Sequence, residues 1–199
     1  TVSDGDLDTL TGLNAKSNAA LAVTVTDTAG TAAELNTVNA GTTSAVNANA
    51  VVTIESSTAS DLATLMADAQ DAAKFTNTSF VDLTTNGVTI TGGTTIDVTD
   101  LNNAISRTNT VATGTVDLVF SADDTTTTIN GGTATEFATT LLTHKTNNRV
   151  SFTGVNLSID GTTVTTAQAN DLTAATTGTV TTTVSDGDLD TLTGLNAKS

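Results

Sequence analysis

Two periods alternate along this chain. Stretches of period two, with one apolar face and one threonine face, read ALAVTVTD, AVVTIES, NGVTITG, GTTIDV, GTVDLVFS, TTTTING, RVSFTGVNLSIDG and TGTVTTTVSD. Val, Ile and Thr suit a half-buried pleated surface, so these stretches predict strands. Glycine-bearing turns punctuate them at Asn86-Gly87, Gly92-Gly93, Asn130-Gly131-Gly132 and Asp160-Gly161. Asp-Gly is a favoured two-residue turn, so VNLSIDGTTVTT reads as a hairpin.

Between the strands the spacing becomes helical, and each change is announced in the same way. A cap residue is followed three positions later by an acid or amide, then by Leu or Phe: Ser3–Asp6–Leu7, Thr31–Glu34–Leu35, Thr58–Asp61–Leu62, Asp97–Asp100–Leu101, Thr133–Glu136–Phe137 and Gln168–Asp171–Leu172, with Ser185–Asp188–Leu189 restarting the cycle. This is the spacing of a capping box, in which the cap accepts from the amide three residues on and the acid returns the bond. The predicted caps are Ser3, Thr31, Thr58, Asp97, Thr133 and Thr165, the last paired with Gln168 in place of a poor cap. Apart from the one after Thr58, the helices they open are one to two turns long and need tertiary packing to persist. Leu7, Leu35, Leu62, Leu65, Leu101, Phe137, Leu172 and Leu189 are their predicted core anchors. The longest helix is predicted over 59–74, with Leu62, Leu65, Met66, Ala69, Ala72 and Ala73 on one stripe.

The boxes recur at unequal intervals of 28, 27, 39, 36, 35 and 17 residues between successive Leu or Phe positions. Strand, cap, short helix and return form a unit that cannot bury its own face, so neighbours must complete the core. The expected fold is mainly β: a parallel β-solenoid with short capped helices between strands, running through 1–199 as one segment. Its units fall near 1–21, 22–49, 50–77, 78–112, 113–148 and 149–182. The alternative is a set of β-sandwich domains.

A longer repeat encloses the short one. Residues 1–17 and 183–199 both read TVSDGDLDTLTGLNAKS, seventeen identities in seventeen at an offset of 182. The expectation is a slice of a longer chain that repeats a 182-residue block. A slice without a leader says nothing about localisation.

Composition narrows the function. The chain of 199 residues has no Cys, Pro, Trp or Tyr, only five Phe, and about a quarter of its residues are Thr. Absent cysteine excludes a disulfide framework and a thiolate metal site. One histidine, His144, leaves no material for a classical zinc centre or a histidine-based triad. A net charge of −15 opposes nucleic acid and anionic membrane as partners. No apolar run is long enough to span a bilayer.

The Thr- and Ala-rich rhythm, with a VTVSD-type strand end followed by Asp-Leu, resembles the tandem repeats of very large secreted surface, sheath and filament proteins of bacteria, cyanobacterial ones among them. The resemblance implies a sheath, surface-layer, adhesin or matrix role, frequently with calcium. It departs from the calcium-binding nonapeptide repeats of secreted toxins: only Asn130-Gly131-Gly132 and Thr91-Gly92-Gly93 look like their turns.

The densest carboxylates are Asp4, Asp6 and Asp8, with their copies Asp186, Asp188 and Asp190. Alternating acids around a glycine are similar to the start of a calcium loop, since hard cations need several convergent oxygens. The twelfth position of such a loop holds Ala15 instead of Glu. The other reading is a capped helix N-terminus, where the dipole favours acids. Asp27 and Asp123-Asp124 are weaker candidates on turns. The pairs Asp68/Asp71 and Asp97/Asp100 have the residue type of a glycosidase site, but no Trp or Tyr is present to stack a sugar. His144, between Leu142 and Arg149 in LLTHKTNNRV, reads as a surface residue. Asn77-Thr78-Ser79 and Asn156-Leu157-Ser158 match glycosylation acceptors. Thr-x-Thr at 24–26, 89–91 and 163–165 would suit an ice- or crystal-binding face, although unequal units spoil its regularity.

The expected function is therefore a non-enzymatic structural repeat of an extracellular filament, sheath or surface-layer protein, located outside the cell or on its surface. Its partners are copies of itself, head-to-tail or as consecutive repeats of one chain. Calcium is the one cofactor suggested. The alternative is an adhesin or a carbohydrate- or surface-binding module.

Overall fold

The computed structural model describes residues 2, 5–13, 20–76, 78, 80, 88–91, 93–107, 118–120 and 125–195, with Leu189 described by its backbone alone. Seven α-helices form along these residues: α1 (Leu7–Leu10), α2 (Ala32–Ala40), α3 (Ala59–Asp68), α4 (Val98–Arg107), α5 (Leu142–Thr146), α6 (Thr166–Ala175) and α7 (Leu189–Leu192). A helical start over residues 134–135 runs into a π-helical segment, Glu136–Leu141, which leads directly into α5. Eleven strands accompany them: β1 (Ala29–Gly30), β2 (Val46–Asn47), β3 (Thr53–Ile54), β4 (Phe75–Thr76), β5 (Val88–Thr89), β6 (Thr95–Asp97), β7 (Leu118–Val119), β8 (Thr128–Asn130), β9 (Val150–Ser151), β10 (Asn156–Val164) and β11 (Val180–Val184).

All the strand pairings are parallel among the described residues. They form sheets β1-β3, β2-β4, β5-β7-β9 and a four-stranded sheet ordered β11-β10-β8-β6. Equivalent positions of successive units stand opposite each other: Ile96 pairs with Ile129, Ile129 with Leu157, and Leu157 with Val180. The helices follow in a matching series, α1 against α2, α2 against α3, α3 against α4, and α4 against the π-helical segment, which packs on α6. One hydrophobic cluster runs through the units from Leu7 to Leu172.

The result is a mixed α/β fold, 37% helical and 23% strand, with parallel sheets of two to four strands. It is neither the mainly β solenoid nor the β-sandwich set that the alternation predicts, and it closes no barrel among the described residues. Helix prevails because the caps propagate helices of nine or ten residues at α2, α3, α4 and α6. Most strands, by contrast, pair over only two or three residues. The Val/Thr alternation mostly supplies extended chain with one buried face.

Two local expectations also change. The helix predicted over 59–74 stops at Asp68. Asp71 Oδ1 accepts from Ala73 N at 2.8 Å, a local bond that competes with helix, and Ala72 and Ala73 are exposed rather than in the core. The hairpin expected at Asp160-Gly161 is instead one strand, β10, paired in parallel on both sides. Its register against β11 shifts between Ser158 and Thr163, and Gly161 takes φ +74 within that bulge. Glycine enters this left-handed region without the steric penalty of a side chain, so the strand bulges without reversing.

Candidate functional site

The chemistry-bearing side chains of this fold gather where one unit meets the next. Thr31 accepts from Glu34 N at 3.2 Å, and Glu34 Oε2 accepts from Thr31 N at 2.8 Å, closing a capping box on α2. Thr165 with Gln168 and Thr133 with Glu136 close two more. Thr58 accepts from Asp61 N at 3.0 Å and donates its hydroxyl to Asp61 Oδ2 at 2.7 Å. Asp97 accepts from Thr99 N at 2.7 Å, one residue nearer than a box requires. For α1 the cap is Asp6, which accepts from Thr9 N at 3.2 Å, and not the predicted Ser3, which lies outside the described residues. Ser185, the copy of Ser3, bonds back to Val164 O, and Asp188 caps α7 by accepting from Thr191 N at 3.3 Å.

A second acceptor reaches the first helical amide of four of these helices, and it comes from the following unit. Asp27 accepts from Leu7 N at 2.6 Å, Ser57 Oγ from Ala32 N at 2.9 Å, Thr162 Oγ1 from Ala134 N at 3.0 Å and Asp186 Oδ2 from Thr166 N at 2.7 Å. Helix N-termini leave four amides unsatisfied, so each unit supplies one acceptor and its neighbour another. In a third series the earlier unit supplies the side chain and the later one the backbone. The side-chain amides of Asn36, Asn102 and Asn170 donate to Asp61 O, Glu136 O and Gly194 O, on or beside the next helix. Neither series was expected from the sequence. The asparagines carry a signal all the same, each standing five residues after its cap at Thr31, Asp97 and Thr165.

Three of the predicted calcium ligands take part in these bonds. Asp6 caps α1, Asp186 caps α6 and Asp188 caps α7, while Asp8 and Asp190 are exposed. Asp4 lies outside the described residues. Around Asp6 and Asp8 the fold adds Asp27, Glu34 and Glu55, lining a recess of about 240 Å³. Three of the five carboxylates are committed to backbone amides. No group of three His, Cys, Asp or Glu side chains able to hold a metal forms among the described residues.

The predicted core anchors Leu7, Leu35, Leu62, Leu65, Leu101, Phe137 and Leu172 are all buried. Asp68 accepts from Asn39 Nδ2 at 2.7 Å, so this carboxylate of a possible catalytic pair ties α3 to α2. Asn156 uses both ends of its amide, donating to Thr125 O and accepting from Thr179 N. Of the other acceptor motif, Asn77 and Ser79 lie outside the described residues, as do Asp123 and Asp124.

His144 is half-buried rather than a free surface residue, with Nε2 3.4 Å from Ser106 Oγ. That is looser than a nucleophile–base pair. Burial, and then the Arg149 guanidinium, hold its pKa below the usual histidine value. Arg149 itself donates to Ile105 O at 2.8 Å. Glu136 is held below the usual carboxylate range by the Thr133 amide first, then by the Thr99 hydroxyl. A trough of about 500 Å³ is lined by Ala138, Leu142, Lys145, Asp171 and Ala175 among others. No helix of the described residues is long and apolar enough to cross a membrane. In comparisons with known proteins, no family model, curated protein or solved structure matches the chain.

Proposed function

We propose that this chain is a structural repeat unit of an extracellular filament, sheath or surface-layer protein, without enzymatic activity, whose partners are copies of itself. The observation that carries the reading is the completion of four helices by the unit that follows: Asp27, Ser57, Thr162 and Asp186 accept from first-turn amides of the preceding unit. A fold whose units satisfy one another's polar groups gains by extension, since each added unit meets the same kind of surface. The 17-residue identity at an offset of 182 residues extends that logic to a whole block.

The surface supports scaffold over pocket. All five phenylalanines are buried, and the sequence has no Trp or Tyr, which leaves no aromatic platform for a sugar. This favours the scaffold over a carbohydrate-binding adhesin. A chain without cysteine is indifferent to an oxidising exterior. Calcium enters the reading as a counterion that screens a net charge of −15. The test is immunogold labelling of thin sections of source cells with an antibody to the purified chain. Labelled surface filaments or a sheath are expected; label confined to the cell interior overturns the reading.

A further inference from the structure

The two copies of the 17-residue segment pack through opposite faces. The first lies against residues C-terminal to it: Val2 N donates to Ala22 O at 3.1 Å, Thr26 N to Gly5 O at 2.8 Å, and Leu7 N to Asp27 Oδ2 at 2.6 Å. The second lies against residues N-terminal to it: Ser185 N donates to Val164 O at 2.8 Å, Thr166 N to Asp186 Oδ2 at 2.7 Å, and Asn170 Nδ2 to Gly194 O at 2.9 Å. Identical residues therefore have different surroundings. Leu10 is 1% exposed, whereas its copy Leu192 is half-buried. Leu13 is half-buried, and its copy Leu195 is 41% exposed.

The glycines give the sharpest contrast. A Cβ on Gly5 would stand 2.5 Å from Thr26 Cγ2 and 2.8 Å from Thr24 O, so the first copy requires glycine there. A Cβ on Gly187, its copy, would meet nothing within 4 Å among the described residues. The second copy thus carries a close-approach glycine with nothing approaching it. It also continues from β11, the edge strand of the four-stranded sheet, and an edge presents backbone groups ready to pair.

We infer that the outward face of residues 184–195 is a docking surface for a second copy of this chain, which covers it with its own residues 22–30. The first copy is the internal template for that contact. By its pattern Val184 N donates to Ala22 O of the second copy, Thr26 N of the second copy to Gly187 O, and Leu189 N to the second copy's Asp27. Leu192 then reaches the burial that Leu10 already has. Superposing the two copies of the segment gives one joint between the unit before it and the unit after it. The contact joins two different surfaces, so each copy that docks leaves an unused surface for the next. Within a single chain residues 2–13 already hold residues 22–30, and an incoming copy displaces them with an identical sequence. The inference rests on the structural-repeat reading and names its interface.

Sedimentation of the full chain tests it. Leu10→Asp loosens residues 2–13 and opens residues 22–30; the expected result is polymers that grow with concentration. Adding Gly187→Val returns that variant to monomer, because the new side chain collides with Thr26 of the incoming copy. Gly187→Val alone leaves the melting temperature unchanged, whereas Gly5→Val lowers it. If circular dichroism shows Leu10→Asp unfolded, the wild-type chain is titrated with a labelled TVSDGDLDTLTGLNAKS peptide and read by fluorescence anisotropy. Binding that is lost when the peptide's first glycine becomes valine supports the joint. A folded Leu10→Asp chain that stays monomeric, polymers indifferent to Gly187→Val, or peptide binding indifferent to that glycine each overturns it. Polymers from a protein that labelling places inside the cell keep the joint and remove only the extracellular role.

Discussion

At the scale of the residue, this protein is organised by short polar side chains that serve as backbone acceptors. Thr31 is typical: its hydroxyl accepts from Glu34 N while Glu34 closes the box, and the first α2 amide, Ala32 N, goes to Ser57. Thr31→Ala is expected to cost about 0.5–2 kcal/mol in a denaturant melt, the range for a lost N-cap. Titration acts at the same scale. Burial, and then Arg149, lower the His144 pKa, so the unfolded chain takes up its proton first as pH falls. Stability from this group therefore declines below the usual histidine value of about 6.5, and His144→Gln flattens that part of the curve. Glu136 acts lower: its contribution is complete above about 4.5 and is lost as pH falls through the lowered value, a loss that Glu136→Gln removes. Thermal melts of the wild type and each variant across this range check both. Parallel curves would show that neither group titrates as argued.

At the scale of the element, the helices carry the burial and the strands carry the register. Leu62 and Leu65 are fully buried in α3, beside Met66. Leu62→Ala is expected to cost about 2–5 kcal/mol, the range for a buried leucine that leaves a cavity. Equilibrium unfolding in urea measures it, and a loss below about 1 kcal/mol would mean that the core collapses to refill the site. The strands are too short for alternation alone to fix them. Parallel pairing at Ile96, Ile129, Leu157 and Val180 holds them in step, and the bulge in β10 absorbs the mismatch between two units of unequal length.

At the scale of the whole molecule, electrostatics opposes compactness. A net charge of −15 is self-repulsive, and divalent cations relieve that repulsion without any dedicated site. Calorimetry with calcium is therefore expected to show weak uptake that disappears in about 0.15 M salt, where screening falls to about 8 Å. Asp6→Ala is expected to leave that uptake unchanged while costing about 0.5–2 kcal/mol of stability through the lost α1 cap. A saturable site abolished by Asp6→Ala would restore the coordination reading.

The amino-acid sequence by itself determined the local rhythm: Thr31, Thr58, Asp97, Thr133 and Thr165 stand one residue before a helix, and Leu35, Leu62, Leu101, Phe137 and Leu172 beyond them are buried. These features depend on neighbours a few residues apart, which a one-dimensional pattern records. It also displayed the 182-residue offset of two identical segments, since identity needs no folding to be seen. The balance of helix over strand needed the tertiary structure, because an alternating stretch becomes a strand only where another backbone lies alongside it. So did the pairing of Asp27 with Leu7, of Ser57 with Ala32 and of Asp186 with Thr166, partners 20 to 25 residues apart that meet only when units pack. The same packing gave three of the suspected calcium ligands, Asp6, Asp186 and Asp188, backbone amides at helix N-termini to accept from, and the fold decides which amides those are.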